Sequence, residues 1–206
     1  MKVAAPTHAH ARALITEGFA IVAGVDEVGR GCWAGPVVAG AVILPPRSRL
    51  DGVTDSKLLT AAARSRLDGL IRRRAVATGL GWVDASELDR NGLSWAVRES
   101  GLRALAALGQ PYDAVLLDGN HNYLNGVCPS QAIIKGDQLS LSIAAASIIA
   151  KVARDAFMSD QHEHYPQFNF AANKGYGTAD HIKALASGLT PLHRRSFKPV
   201  ALAVMG

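Results

Sequence analysis

Cysteine, aromatic residues and long apolar runs are all scarce in this chain, and each scarcity narrows what it can be. Among its 206 residues there are two cysteines, Cys32 and Cys128. They lie far apart with no paired Cys or Cys/His spacing around them, which argues against a disulfide framework or a thiolate zinc site and for free thiols in a reducing cytoplasm. The longest apolar stretches, 35–46 and 143–150, fall well short of the about 20 residues a bilayer span needs. The opening MKVAAPTHAHARALITEG carries histidines and arginines where a signal peptide requires a continuous apolar core. A soluble cytoplasmic protein is expected, with no membrane partner. Charge is thin as well, at 19% of residues against 49% hydrophobic, which excludes a disordered polar tail, and the length suits one globular domain or a domain with a small appendage. The 22 basic residues outnumber the 17 acidic ones, and the net charge of +5 favours a polyanionic partner.

What is present is acid at the ends of apolar strands. The run 20–25 ends in Asp26-Glu27 and a glycine turn, Gly29-Arg30-Gly31. A carboxylate at the end of a buried strand must be solvated, paired or bound to a cation to offset its desolvation. The pattern recurs, since the strand 114–117 ends in Asp118 followed by Gly119-Asn120. A short strand at 132–134 leads through Lys135-Gly136 to Asp137, which reads equally well as the N-cap of the helix that follows. That helix, 139–158, is apolar nearly all round and therefore buried, yet Ser147, Lys151 and Asp155 share one stripe at four-residue spacing. A solvated face is the alternative for that stripe. Further elements are a strand at 36–44 closed by Pro45-Pro46, amphipathic helices at 58–74 (Thr60 as cap) and 93–108, and a short strand at 79–83. The two early strands suggest a hairpin-like sheet edge. The whole reads as an α/β fold.

Carboxylates gathered at one place repel unless a cation neutralises them, and oxygen ligands suit hard ions such as Mg2+ or Mn2+. Two such ions about 4 Å apart support phosphodiester hydrolysis with little else required of the protein. The net positive charge then serves a nucleic-acid substrate.

Seven blocks in order carry a resemblance: GVDEVGRG at 24–31 with AGPVV after it, Asp55-Ser56-Lys57, LLDGN at 116–120, KGD at 135–137, AAASIIAKVARD at 144–155, NKGYGT at 173–178 and HRRSF at 193–197. In these the chain resembles the bacterial ribonuclease HII family of ribonuclease H-like nucleases, over about residues 21–199. The resemblance implies a ribonuclease H-like fold, a central mixed sheet of about five strands flanked by helices with a short C-terminal helical and loop region. Residues 1–18 would be an N-terminal extension free to flex, and 19–206 the catalytic domain with a short substrate-binding segment. The implied activity is metal-dependent cutting of the RNA strand in RNA–DNA hybrids and nicking 5′ of single ribonucleotides in duplex DNA, leaving 3′-hydroxyl and 5′-phosphate ends. Asp26, Glu27, Asp118 and Asp137 match the family's active-site acids, expected to hold Mn2+ or Mg2+, two ions during catalysis. Asp155 matches an auxiliary acid.

A ribonucleotide differs from its deoxy counterpart in the 2′-hydroxyl, so a specific enzyme must contact that group. The resemblance assigns this to the turn Gly29-Arg30-Gly31 and to Tyr176, although a tight turn and a loop anchor are the ordinary uses of such residues. Ser56 and Lys57 match a phosphate-contacting loop, and Lys174, Arg194 and Arg195 are expected to add backbone contacts. Cys32, Trp33 and Leu58 depart from the family pattern. A monomer with no obligate protein partner is expected. Two rivals remain: a junction-resolvase type nuclease core, which needs no 2′-hydroxyl reader, and a non-catalytic nucleic-acid-binding module, which needs no acids facing an anionic backbone.

Overall fold

The computed structural model describes residues 5–205. Its elements are α1 (Ala9–Thr16), β1 (Val22–Val28), β2 (Val37–Ile43), α2 (Ala61–Arg74), β3 (Ala77–Val83), α3 (Ala85–Asn91) and α4 (Leu93–Ala106). Then come β4 (Ala114–Asp118), β5 (Ser130–Ile133), α5 (Gly136–Leu139), α6 (Leu141–His164), α7 (Phe170–Asn173), α8 (Ala179–Leu185) and α9 (Lys198–Met205). The five strands form one sheet in the order β3-β2-β1-β4-β5. β1 pairs antiparallel with β2, and β2 with β3, while β1–β4 and β4–β5 are parallel.

The expected mixed five-stranded α/β sheet is what forms. The early strands do pair as a hairpin-like unit, but they lie in the middle and not at an edge, because β4 pairs with the free side of β1. β2 is buried at every position, as its run of valine, alanine and isoleucine allows, since helices cover both of its faces. On one face α4 packs Ala104 and Leu105 against Val25, Ala39 and Leu117. On the other, α6 packs Ala145, Ile148 and Ile149 with Leu67 and Ile71 of α2 against Val42, so that α6 is covered by the sheet on one side and α2 on another. That double cover explains its apolar circumference.

Boundaries moved where local capping won. α2 starts at Ala61 and not at 58, because the Thr60 hydroxyl accepts from Ala63 N–H at 3.2 Å, while the Asp55 carboxylate closes a separate 3-10 turn at 56–58. α3 went unpredicted although its Asp84-x-x-Glu87 capping box is written in the sequence. Of the expected N-terminal extension, residues 1–4 lie outside the described residues. From Thr7 on it is docked: Thr7 exchanges backbone hydrogen bonds with Leu139 and Leu141, and Leu14 of α1 packs on Val22 and Leu116.

α6 crosses β1 at Gly24, where a Cβ would meet the backbone of Ser142 at 2.4 Å and the backbone nitrogen of Ile143 at 2.6 Å. Gly24→Ala must therefore push the start of α6 off the sheet. A loss of roughly 2 kcal/mol is expected in denaturant unfolding, and an unchanged midpoint would mean that α6 retreats freely.

Candidate metal centre and the loops beside it

β1 and β4 run parallel with Val25 opposite Leu117, so the next residues in each, Asp26 and Asp118, stand side by side. Side chains alternate along a strand. Val25 and Leu117 point into the α4 face, which sends Asp26 and Asp118 to the α6 face together. The α5 turn brings Asp137 to the same place. One carboxylate oxygen from each of Asp26, Asp118 and Asp137 lies within 4.8 Å of the other two. An all-oxygen set of this kind fits a hard divalent cation.

The turn is tied to the strand by one of these acids. Asp118 Oδ1 accepts the Gly136 N–H at 2.7 Å. Lys135, in the left-handed region, occupies the N-cap position. The capping alternative for Asp137 is thereby removed: its carboxylate is not the cap but faces the other acids, with the Lys57 ammonium 3.9 Å away.

Glu27 follows the same alternation and falls on the opposite face. It pairs with Arg30 at 3.1 Å and lines a cleft of about 400 Å³ together with Asp118, Trp95, Arg98, Asn120, His121 and Tyr123. It is not one of the three converging acids. The Tyr123 hydroxyl, buried without a hydrogen-bond partner, is raised above the usual phenol range by burial and then by the charges of Glu27, Asp26 and Asp118.

Burial and the charge of neighbouring acids raise Asp26 and Asp137 above the ordinary carboxylate range. Burial, reinforced by Glu27 and Asp118 and opposed by a hydrogen bond from Ser147, holds Asp26 well above the ordinary carboxylate range. Glu27 is raised by burial against the opposing pull of Arg30. Asp137 is pushed up to about 6, by burial and then by Asp118 and Asp55. Burial opposes the charge of Lys57, but Asp137, Asp26, Asp55 and Asp118 outweigh it and raise that ammonium.

Asp55 was not foreseen as a site residue. It is buried beside Asp137, accepts Lys57 N–H at 2.9 Å and faces Gln138 Nε2 at 3.3 Å. Ser56 is buried and shares a 2.9 Å hydroxyl contact with Ser147 of α6, so this part of the stripe does reach the acids. Lys151 and Asp155 do not. They pair with each other at 2.7 Å, and Asp155 also holds Arg64 at 3.6 Å, whose guanidinium donates to the carbonyls of Ser56 and Leu59. They brace the 55–59 loop from behind.

The Gly29–Gly31 turn and the Lys174–Gly177 loop form one unit. Gly29 has φ +93°, and a Cβ there would meet Arg154 Nε at 2.4 Å. Arg154, fully buried, donates to the carbonyls of Pro36 (2.9 Å), Ala34 (3.1 Å) and Lys174 (2.9 Å). The Gly175 carbonyl accepts from Trp33 and Ala34 N–H. Tyr176 stands 43% exposed on this unit, its hydroxyl raised by burial and by the buried Cys32 beneath it. Arg30 is exposed as well.

Two expected phosphate contacts are corrected. Arg194 is fully buried and spends its donors on Gly35 O (3.0 and 2.8 Å) and Arg30 O (3.0 Å). Lys174 turns its ammonium inward to the Asp155 carbonyl at 3.1 Å and to the Ser159 hydroxyl. In both, main-chain carbonyls inside the fold claim the charge before a phosphate can. Arg195 remains exposed, its N–H held by Asp89 at 2.8 Å. Leu58, 60% exposed, sits on the rim beside Lys57.

No helix among the described residues is long and apolar enough to cross a membrane. A sequence profile described as Ribonuclease HII matches residues 23–200. The chain is 53% identical over 180 residues to a ribonuclease HII of Nitrosococcus oceani, covering 87% of this chain and 89% of that one. It is 49% identical over 195 residues to a ribonuclease HII of Chloroflexus aurantiacus, covering 91% of each. The solved structure of ribonuclease H2 from Pyrococcus horikoshii superposes with a TM-score of 0.79 at 26% identity, over 89% of this chain and 96% of that one.

Proposed function

The chain belongs to the ribonuclease HII family and is an endoribonuclease acting on nucleic acid, and from that premise we propose how its own residues divide the work. Asp26, Asp118 and Asp137 are the acids that hold divalent metal, with Glu27 joining from the opposite side of β1. The carrying observation is the convergence within 4.8 Å of Asp26 and Asp118, on two parallel strands, and Asp137, on the α5 turn. Mg2+ or Mn2+ bound there supplies charge stabilisation for phosphodiester hydrolysis. Lys57, exposed beside Asp137, offers a cation to the substrate phosphate, and Ser147 orients Asp26. Arg30, next to Glu27, and Arg195 add exposed charge along the path of the backbone.

The Gly29–Gly31 turn and Tyr176 are the reader of the 2′-hydroxyl. Their support is that they are tied into a single unit immediately after the acids of β1, with the ring of Tyr176 open to solvent. A nuclease core that ignores the sugar has no use for this arrangement. The substrate is the RNA strand of a hybrid, or a single ribonucleotide in duplex DNA cut on its 5′ side.

The test uses end-labelled duplex DNA carrying one ribonucleotide, alongside all-DNA duplex and RNA–DNA hybrid, with Mg2+, Mn2+ or chelator. Cutting 5′ of the ribonucleotide is expected with either metal and none with chelator, and the all-DNA duplex stays intact. Cleavage of all-DNA, or metal-independent cleavage, would overturn the reading.

A further inference from the structure

We propose that His181 and His193 are positioning residues: a directed chain of hydrogen bonds from Thr190 through both imidazoles fixes the main chain of Tyr176, and with it the ring that faces the sugar. The proposal rests on the reading of Tyr176 given above.

The direction of the chain follows from its donors. The Thr190 backbone N–H can only donate, and it points at His193 Nδ1 at 2.9 Å, which must therefore be the lone-pair nitrogen. The proton of His193 is on Nε2, which lies 3.0 Å from His181 Nε2. That nitrogen accepts, so the proton of His181 is on Nδ1, 2.9 Å from the Tyr176 carbonyl. Every step is determined by the one before it, and both rings are neutral. A second proton on either ring would meet a donor already in place.

The surroundings enforce that state. Both rings are buried, His181 at 0% and His193 at 2% exposure. Phe168 and Phe170 pack edge-on or tilted to them, and Trp33 covers His181 at 5.9 Å between centroids. Burial lowers the basicity of His181, and burial with the His181 neighbour brings His193 down to about 4. Two buried polar rings are costly to keep in an aromatic cluster where apolar residues would pack as well. What they deliver there is a donor at one place, the carbonyl of Tyr176, at the top of α8 where the Thr178 hydroxyl caps the helix.

Long-range 1H–15N spectra of the labelled protein read the tautomers directly. His193 is expected as the Nε2–H form and His181 as the Nδ1–H form at neutral pH; the opposite tautomer in either ring overturns the chain, whatever Tyr176 does. Function is tested by a double-mutant cycle on duplex DNA with one ribonucleotide. In folded protein, verified by circular dichroism, His181→Phe should lower kcat/KM about tenfold, and His181→Asn, which keeps an N–H near the Nδ1 position, should restore part of the loss. In a Tyr176→Ala background His181→Phe should change little. Equal losses in both backgrounds, or no loss in folded His181→Phe, would overturn the positioning role. If Tyr176→Ala itself cuts at the normal rate, the sugar-contact reading fails and the role in cleavage fails with it, while the tautomers still report on the chain.

Discussion

Asp118→Asn is expected to lower cleavage on the order of a thousandfold, the equivalent of about 4 kcal/mol of transition-state stabilisation, while leaving the fold intact. The fold survives because Asn keeps an oxygen at the Oδ1 position, and that oxygen is what the Gly136 N–H requires at 2.7 Å. What is lost is the charge, the one property that a divalent cation needs and the α5 turn does not. The same substitution should stabilise the metal-free protein. Asp118 is among the causes that raise both Asp26 and Asp137, so neutralising it relieves repulsion in the absence of metal. Asp137 has a folded pKa above its unfolded one, so its contribution is fully present below the unfolded value of 3.8 and is lost as pH rises through about 6. That interval corresponds to roughly 3 kcal/mol for wild type, and it should shrink in Asp118→Asn. His193, lowered to about 4, gives the opposite slope in both proteins and cancels in the comparison. Thermal unfolding in chelator from pH 4 to 8 measures the difference, and single-turnover cleavage measures the rate. Near-normal turnover would remove Asp118 from the metal centre.

The second large effect is on stability. Arg194→Met should cost about 3–5 kcal/mol, because it strips donors from carbonyls that stay buried. The guanidinium serves Gly35 O twice and Arg30 O once, and it rests on the Phe197 ring at 5.2 Å. Burial draws its pKa down to about 10, which still leaves it charged at neutral pH. Neither it nor Arg154 has a carboxylate within ion-pair distance among the described residues; carbonyl dipoles carry the solvation instead. Guanidinium chloride unfolding would show the loss. If Arg194→Met unfolded at the wild-type midpoint and instead flattened the salt dependence of substrate binding, the residue would face phosphate after all. Arg195→Ala should do the reverse, sparing the midpoint and reducing the salt slope by about one phosphate contact.

The acids were readable because a strand announces itself by β-branched apolar residues, and a carboxylate directly after such a run stands out, even though β1 itself runs on to Val28. Asp26 and Asp118 obey that rule, and the structure sets them side by side. That Glu27 reaches Asp118 from the other side of β1 was also implicit, since neighbours on a strand face opposite ways, and the cleft it shares with Asp118 keeps it beside the three converging acids. Asp55 was hidden in a block whose Ser56 and Lys57 were read as phosphate contacts. Arg194 was expected to contact the substrate backbone, and its burial against the carbonyls of Gly35 and Arg30 joins segments more than a hundred residues apart, which no local pattern records. His181 and His193 were invisible for the same reason: nothing in the sequence says that two histidines in different turns meet at 3.0 Å. α3, by contrast, is legible in its Asp84-x-x-Glu87 capping box.

The order in which these parts are synthesised has a consequence. All the acids of the metal centre have been made once residue 137 is added, and the central strands β1, β2 and β4 can already pair. The loop at 29–36 beside them, however, is locked by guanidiniums at 154 and 194 and by a backbone bond from residue 194 to Trp33. On a growing chain the three acids therefore leave the ribosome before the guanidiniums that fix this loop, and because a domain folds as a unit the loop can be locked only once residue 194 has emerged.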